Sequence, residues 1–430
     1  MTLRSLAGIM VTCAAVLLAL PGMAAAEELT MERAVSVALQ RNRDVIAARL
    51  EIEAAEVDRI AAGIYWNPQF SYAVGNIVLG QGNPQGDQRL DPGPFSQLVQ
   101  SVGVSEVIDV WAKRSARIKV ADLGMDVRRL HVEDAMREIV FGVRSSFTDL
   151  VREQQEHDLS KTMKARYDET VKIARARVAA GEISEFEGQK FELEGMKYQN
   201  ALINAELELE LARERLAHIM GIGTVSELSG PAIPAPVPRT SLALEPLVAR
   251  ALQERPDLRG ARRGQAFTDA MVAQAEREGL PDVSLGATFI HSGFTASGDN
   301  ANALALGLSL PLPVFDRNQA GVARSRLESK RAVNDIARIE LLVRHEVAAA
   351  VHRLERTRAL LDLYEAGGLL SRSESALRVA ESSYRAGAVS LLELLEAQRT
   401  FIETRGQYLR VQDDHRKAMV DVTHAVGREP

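Results

Sequence analysis

Cysteine is almost missing from this chain. Cys13 is the only one in 430 residues, which excludes an internal disulfide, a CxxC redox pair and a cysteine-built zinc site. Aromatic residues make up 5%, low for an enzyme core or an all-β sandwich. There is no basic excess either. The net charge of −6 leaves no electrostatic footprint for nucleic acid, so no nucleic-acid partner is expected. Beyond residue 26 no run reaches the ~18 consecutive apolar residues of a membrane-spanning helix. If the mature chain crosses a membrane, it must do so as β-strands. With hydrophobic residues at 46% and charged residues at 26%, composition is that of a folded protein, and the length suggests two or three domains.

The N-terminus reads as an address. Residues 1–26 have the pattern of a secretory signal: Arg4 supplies the positive start, Ile9 to Leu20 the short apolar stretch, and Ala24-Ala25-Ala26 the small residues of a cleavage site. Thr12 stands before Cys13 where a lipoprotein signal wants Ala or Gly, so lipidation is not expected. Cleavage removes the one cysteine.

The remainder is written twice. Ala38-Leu39-Gln40-Arg41-Asn42-Arg43-Asp44 matches Ala251-Leu252-Gln253-Glu254-Arg255-Pro256-Asp257, and Pro68 matches Pro281 in the same register. Val102-Gly103-Val104-Ser105 matches Leu306-Gly307-Leu308-Ser309. Farther on, Gly181-Glu182-Ile183-Ser184 matches Gly387-Ala388-Val389-Ser390, and His218-Ile219-Met220-Gly221 matches His424-Ala425-Val426-Gly427. Ordered matches at nearly constant spacing mean duplication. The expected division is a first repeat over 27–230, a Pro-rich linker over 231–240 and a second repeat over 241–430.

Each repeat is expected to run helix, two strands, long helix, turn, helix. The opening helix extends from an N-cap at Thr30 to Gly63. Strands are expected at about 69–79, 98–108, 282–291 and 303–312, because large apolar residues alternate there with small or polar ones. Val283-Ser284-Leu285-Gly286-Ala287-Thr288-Phe289 is typical. In an exported chain, that apolar face suits the lipid side of a barrel and the small residues its lumen. Polar loops, Gln81 to Gln97 and Ser292 to Asn302, join the strands.

Helical hairpins are expected over 111–220 and 315–427. No proline interrupts Trp111 to Gly181, which at 1.5 Å per residue spans about 100 Å. Phe315 to Gly387 has the same length. Leu202, Leu209 and Leu216, and likewise Leu394, Phe401 and Tyr408, form heptad stripes. Four strands cannot close a membrane barrel, since single-chain barrels start at about eight, so several chains must pool theirs.

This pattern resembles the TolC-type outer-membrane efflux family over the whole mature chain. Leu308-Ser309-Leu310-Pro311-Leu312-Pro313-Val314-Phe315-Asp316-Arg317-Asn318-Gln319 is similar to the signature of its CzcC-like, heavy-metal branch. Ile108-Asp109-Val110-Trp111-Ala112-Lys113-Arg114 is similar to the first-repeat counterpart, with Val-Trp-Ala where two glycines are usual. The resemblance implies a mainly α protein with a small β part: a duplicated helix–β-hairpin–long helical hairpin, forming a trimeric β-barrel plus a long α-helical barrel. It implies a homotrimer in the outer membrane of a Gram-negative bacterium, in contact with outer-membrane lipid and extending into the periplasm. The partners are a periplasmic adaptor (membrane fusion protein) and an inner-membrane RND-type proton-driven pump. The expected cargo is divalent heavy-metal cations; the alternative is multidrug efflux or type I protein secretion. The channel itself does no chemistry and needs no cofactor.

Two groups of site residues follow. Ala180, Gly181, Tyr384, Arg385, Ala386 and Gly387 are expected at the hairpin turns, which the resemblance makes the adaptor-docking tip. Glu393 and Glu396 lie where the family's best-known member carries an acidic pair narrowing the tunnel. At i and i+3 they share a helix face, and in a trimer they would form a constriction of six carboxylates. The first repeat has Glu187 and Lys190 at those places. No resident metal site is expected: His345-Glu346 and His352 lack the spacing of HExxH, with histidines seven apart, about 10 Å along a helix. Gly80-Gln81-Gly82-Asn83-Pro84-Gln85-Gly86 lacks the glycine spacing of a dinucleotide loop.

Overall fold

The computed structural model describes residues 29–77, 98–223, 231–232, 242–293 and 300–427, without the side chain of Leu391. The signal, most of the linker and most of the two strand-joining loops lie outside the described residues.

The first half contains α1 (Met31–Arg41), α2 (Arg43–Gly63), β1 (Gln69–Gly75), β2 (Val99–Ile108), α3 (Lys113–Ala179) and α4 (Glu185–Met220). The second contains α5 (Leu244–Glu254), α6 (Pro256–Glu278), β3 (Val283–Ser292), β4 (Asn302–Ser309), α7 (Gln319–Glu365), α8 (Leu369–Arg385) and α9 (Leu391–Val426).

The opening helix is capped at Thr30, whose hydroxyl accepts from the Arg33 N–H at 3.2 Å. It does not run through to Gly63. Asn42 leaves helical geometry and starts α2, its side-chain oxygen accepting from the N–H groups of Asp44 and Val45. Its amide nitrogen donates to the Ile219 carbonyl at 2.8 Å, tying the break to the end of α4. The second half breaks at the equivalent place for a different local reason. Pro256 opens α6 and holds Arg255 in extended geometry. Arg255 nonetheless donates to the carbonyl of Ala425, the counterpart of Ile219.

Helix α3 has 67 residues, about 100 Å of rise. The expected uninterrupted partner from Phe315 to Gly387 is corrected by the structure: it is two helices. Gly367 and Gly368 stop α7, Gly368 adopting the left-handed backbone (φ 66°). A Cβ on Gly367 would lie 2.3 Å from the Leu363 carbonyl oxygen. Counting prolines alone overlooked a glycine pair that ends a helix equally well.

Each half builds its own core. Val143, Phe147, Leu150 and Val151 of α3 pack with Ala34 and Ala38 of α1 and Leu216 of α4. Val343, Val347 and Val351 of α7 pack with Leu247 of α5 and Val422 of α9. The halves meet where α3 packs against α6 and α9; at α9, Lys417 bridges Asp149 and Asp413, and Arg152 lies 3.5 Å from Asp413. Burial pushes the Asp413 carboxyl up against the pull of Lys417.

Candidate functional site

The four strands form one antiparallel sheet in the order β1-β2-β3-β4. Register sorts its side chains. One row reads Phe70, Val104, Ala287, Leu306, and the next Tyr72, Val102, Phe289, Leu304. These apolar residues stand exposed on one face; Leu306 is 80% exposed. The intervening row on the other face reads Ser71, Gly103, Thr288, Ala305. The hydroxyls beside Gly103 close over it so tightly that a Cβ there would sit 2.8 Å from both Ser71 Oγ and Thr288 Oγ1. The two faces thus differ in chemistry as lipid and water do. Among the described residues, each outer strand, β1 and β4, has a neighbour on one side only.

Below the sheet, the helices grip its ends. Asp109 accepts from the N–H groups of Lys113 and Arg114 and so caps α3. The buried Lys113 ammonium donates to the Leu280 carbonyl (2.7 Å) and to Asp282 (2.8 Å), fastening α3 to the start of β3. Ala112, which stands where the resemblance leads one to expect glycine, is held left-handed at φ 55°, and its counterpart Asn318 at φ 57°.

At the far end the two hairpin turns are built alike. The Gly181 N–H donates to Val178 and the Glu182 N–H to Arg177; the Gly387 N–H donates to Tyr384 and the Ala388 N–H to Ser383. Both glycines are left-handed, at φ 75° and 73°. Ala180 and Ala386 are the last helical caps before them. This double closure satisfies the final carbonyls and permits a sharp reversal. The return helices start on Ser184 and Ser390. Tyr384 is buried beside Phe191, Leu394, Tyr167 and Ala174, joining both hairpins in one small core. Burial pushes the Tyr167 phenol up, and that of Tyr198, stacked on it at 4.5 Å, up to about 12. Arg385 presents its backbone carbonyl to Arg177.

Glu393 and Glu396 are both exposed but occupied differently. The Glu393 carboxylate curls back to accept from the N–H (2.8 Å) and hydroxyl (3.0 Å) of Ser390, closing a capping box at the start of α9. Those bonds hold its carboxyl below the ordinary range. Glu187 does the same with Ser184 in the first half. The sequence carries this signal as Ser-x-x-Glu at both places. Glu396 instead lines a groove of about 420 Å³ between α3, α4 and α9, with Lys197, Tyr198 and Arg399. Among the described residues no group of three His, Cys, Asp or Glu side chains could hold a metal ion.

A β-sheet with one exposed apolar face, set on long paired helices of which α3 spans about 100 Å, defines a class of membrane-channel fold. The family model described as "Outer membrane efflux protein" matches residues 34–222 and 247–428, and the chain belongs to that family. It is 26% identical to the cobalt-zinc-cadmium resistance protein CzcC of Cupriavidus metallidurans over 94% of this chain and 91% of that protein. Its fold is that of a membrane protein from Pseudomonas aeruginosa (TM-score 0.75, 19% identity, 93% of this chain and 90% of that one). It also matches CusC, whose structures were described in terms of transmembrane channel formation (TM-score 0.70, 18% identity, 93% and 92%).

Proposed function

We propose that the protein is the outer-membrane channel of a tripartite efflux system exporting divalent heavy-metal cations. The observation that carries this reading is the sheet: an exposed apolar face, a face of small and hydroxyl side chains, and two outer strands each paired on one side only among the described residues. Four strands are too few for a barrel. Three chains, β4 of each pairing with β1 of the next, supply twelve and leave no edge. The same closure gives a partner to the exposed apolar stripe on α4, formed by Phe186, Leu193, Met196, Ile203, Leu207 and Leu211.

In this reading residues 1–26 direct export, 27–230 and 241–430 are the two repeats, and 231–240 links them. The sheet spans the outer membrane, the helices form a periplasmic tunnel, and the turns at Gly181 and Gly387 dock the adaptor and, through it, an RND-type proton-driven pump. The channel supplies a water-filled path; the pump supplies the energy. Likeness to CzcC supports a cargo of divalent metals. Gene deletion followed by growth on a panel of metals and drugs tests it. The reading expects sensitivity to cobalt, zinc or cadmium that the intact gene reverses. Sensitivity to drugs alone would overturn the cargo assignment.

A further inference from the structure

Exposure alternates along the two central strands. In β2, Ser101 and Ser105 are half-buried and Gly103 is buried, whereas Val102, Val104 and Glu106 stand exposed. In β3, Gly286, Thr288 and Ile290 are half-buried, whereas Leu285, Phe289 and His291 stand exposed. Side chains shade one another on a concave surface, so the sheet curves toward the Gly103 face. Closing it into a barrel puts that face inside. Among the described residues of the four strands, this face carries no Asp, Glu, Lys, Arg, His, Cys or Met. The strands' one acid and one histidine, Glu106 and His291, lie on the apolar face.

Charge on that face would matter. Rings of charged side chains set which ions pass a channel, and lumen side chains tune selectivity in outer-membrane barrels. Here the lining is mostly hydroxyls, glycine and alanine, with a few aliphatic side chains such as Ile290. Transition metals are held by imidazole, thiolate, thioether and carboxylate groups, and the described strands present none of these on this face. Twelve strands about 4.8 Å apart and tilted about 40° enclose a backbone cylinder roughly 24 Å across. Short side chains leave its middle open, so an ion on the axis has no need to shed water.

We propose that the barrel lumen is a neutral exit that does not sort ions by charge: divalent cations cross it with their water shell kept, and small anions enter it as readily. The inference rests on the barrel reading above. It adds what the β part of the path does to the cargo. Conduction needs sites weak enough to leave, and a lining without ligands lets a metal ion go once it has passed the helices.

The test uses thiol chemistry on the protein in lipid vesicles. Cys13 is the single native cysteine, and with Cys13→Ser in the background a new thiol has no competitor. Ser101→Cys and Ser105→Cys place thiols on the Gly103 face of β2, and Ala287→Cys places one on the apolar face of β3. Each variant is treated with a cationic and an anionic methanethiosulfonate of similar size. Each rate is divided by that of the same reagent with free 2-mercaptoethanol. The two normalised rates should agree within about threefold at Ser101→Cys and at Ser105→Cys. They should still agree when salt falls from about 0.15 M to about 0.01 M, where the Debye length grows from about 8 Å to about 30 Å. A larger ratio at either salt, with Ala287→Cys unreactive, would overturn the neutral exit and leave the barrel standing. Lumen thiols that react with neither reagent would overturn it too. Ala287→Cys should be silent under lipid; if it reacts as fast as the two serine variants, the barrel reading falls, and the neutral exit with it.

Discussion

The guanidinium of Arg177 lies 5.1 Å from the ring centre of Tyr384 and donates to the Arg385 carbonyl at 3.2 Å. One residue therefore clasps the tip of the first hairpin to the tip of the second. Arg177 also lies 3.6 Å from Glu182, across its own turn. Its counterpart in the duplicated sequence is Ser383, which cannot return the interaction, so the clasp is one-sided.

Loss of that clasp should loosen the tips and little else. A cation–π contact and a hydrogen bond of this kind are together worth about 1–2 kcal/mol. Arg177→Ala should therefore raise amide exchange around residues 176–184 and 383–390 by roughly five- to thirtyfold. The cores around Phe147 and Val347 should keep their protection. Exchange mass spectrometry reads both regions in one experiment.

The sheet offers a sharper packing test. A Cβ at Gly103 would meet two hydroxyl oxygens at 2.8 Å. Gly103→Val should cost about 1–3 kcal/mol through overpacking and reduce the share of protein recovered as a detergent-stable oligomer. Gly103→Ala adds the Cβ alone without the two branched methyls, so it should assemble better than Gly103→Val. Native gels of the two variants side by side check this.

The turns are expected to carry docking. A Cβ at Gly181 meets nothing within 4 Å, and at Gly387 only the end of Arg177. Aspartate tolerates left-handed backbone better than most residues. Gly181→Asp and Gly387→Asp should thus assemble yet abolish metal resistance. Normal resistance in the double variant at normal protein levels would remove the tip assignment.

The two carboxylates should now separate. Glu396→Gln should weaken cation selectivity in planar bilayers and block by trivalent cations from the tip side. Glu393→Gln should chiefly weaken the start of α9. Glu393 is held below its ordinary value by Ser390, so its contribution is present above the unfolded carboxylate range. It is lost as pH falls through the folded value. Protection of the first turn of α9 should decline on acidification in the parent and be flat in Glu393→Gln. Equal effects of both substitutions on selectivity would return Glu393 to the tunnel.

Much of this architecture was legible because it is repetitive. Alternation in β3 and β4 announced a two-faced sheet, and the matched Gly181 and Gly387 announced two turns of one design. Thr30 was readable as a cap. The failures have physical causes. Asn42 reads as an ordinary helix residue until the Ile219 carbonyl, 177 positions away, gives its amide a partner. Gly367 and Gly368 end α7 without a proline, and an expectation built on prolines passes over them. The spacing of Glu393 from Ser390 specifies a capping box as well as a charge on the tip-side face of α9. The clasp of Arg177 on Tyr384 and the anchoring of Lys113 by Leu280 and Asp282 join distant segments, and nothing in local spacing encodes them.

Three copies are expected to close one barrel by joining β4 of each chain to β1 of the next. Electron cryomicroscopy of the protein extracted from membranes in mild detergent tests it most directly. Three chains should surround one axis, with twelve strands in a single closed barrel and a helical extension of about 100 Å. A monomer with its sheet edges open, or a protein that leaves the membrane without detergent, would contradict it.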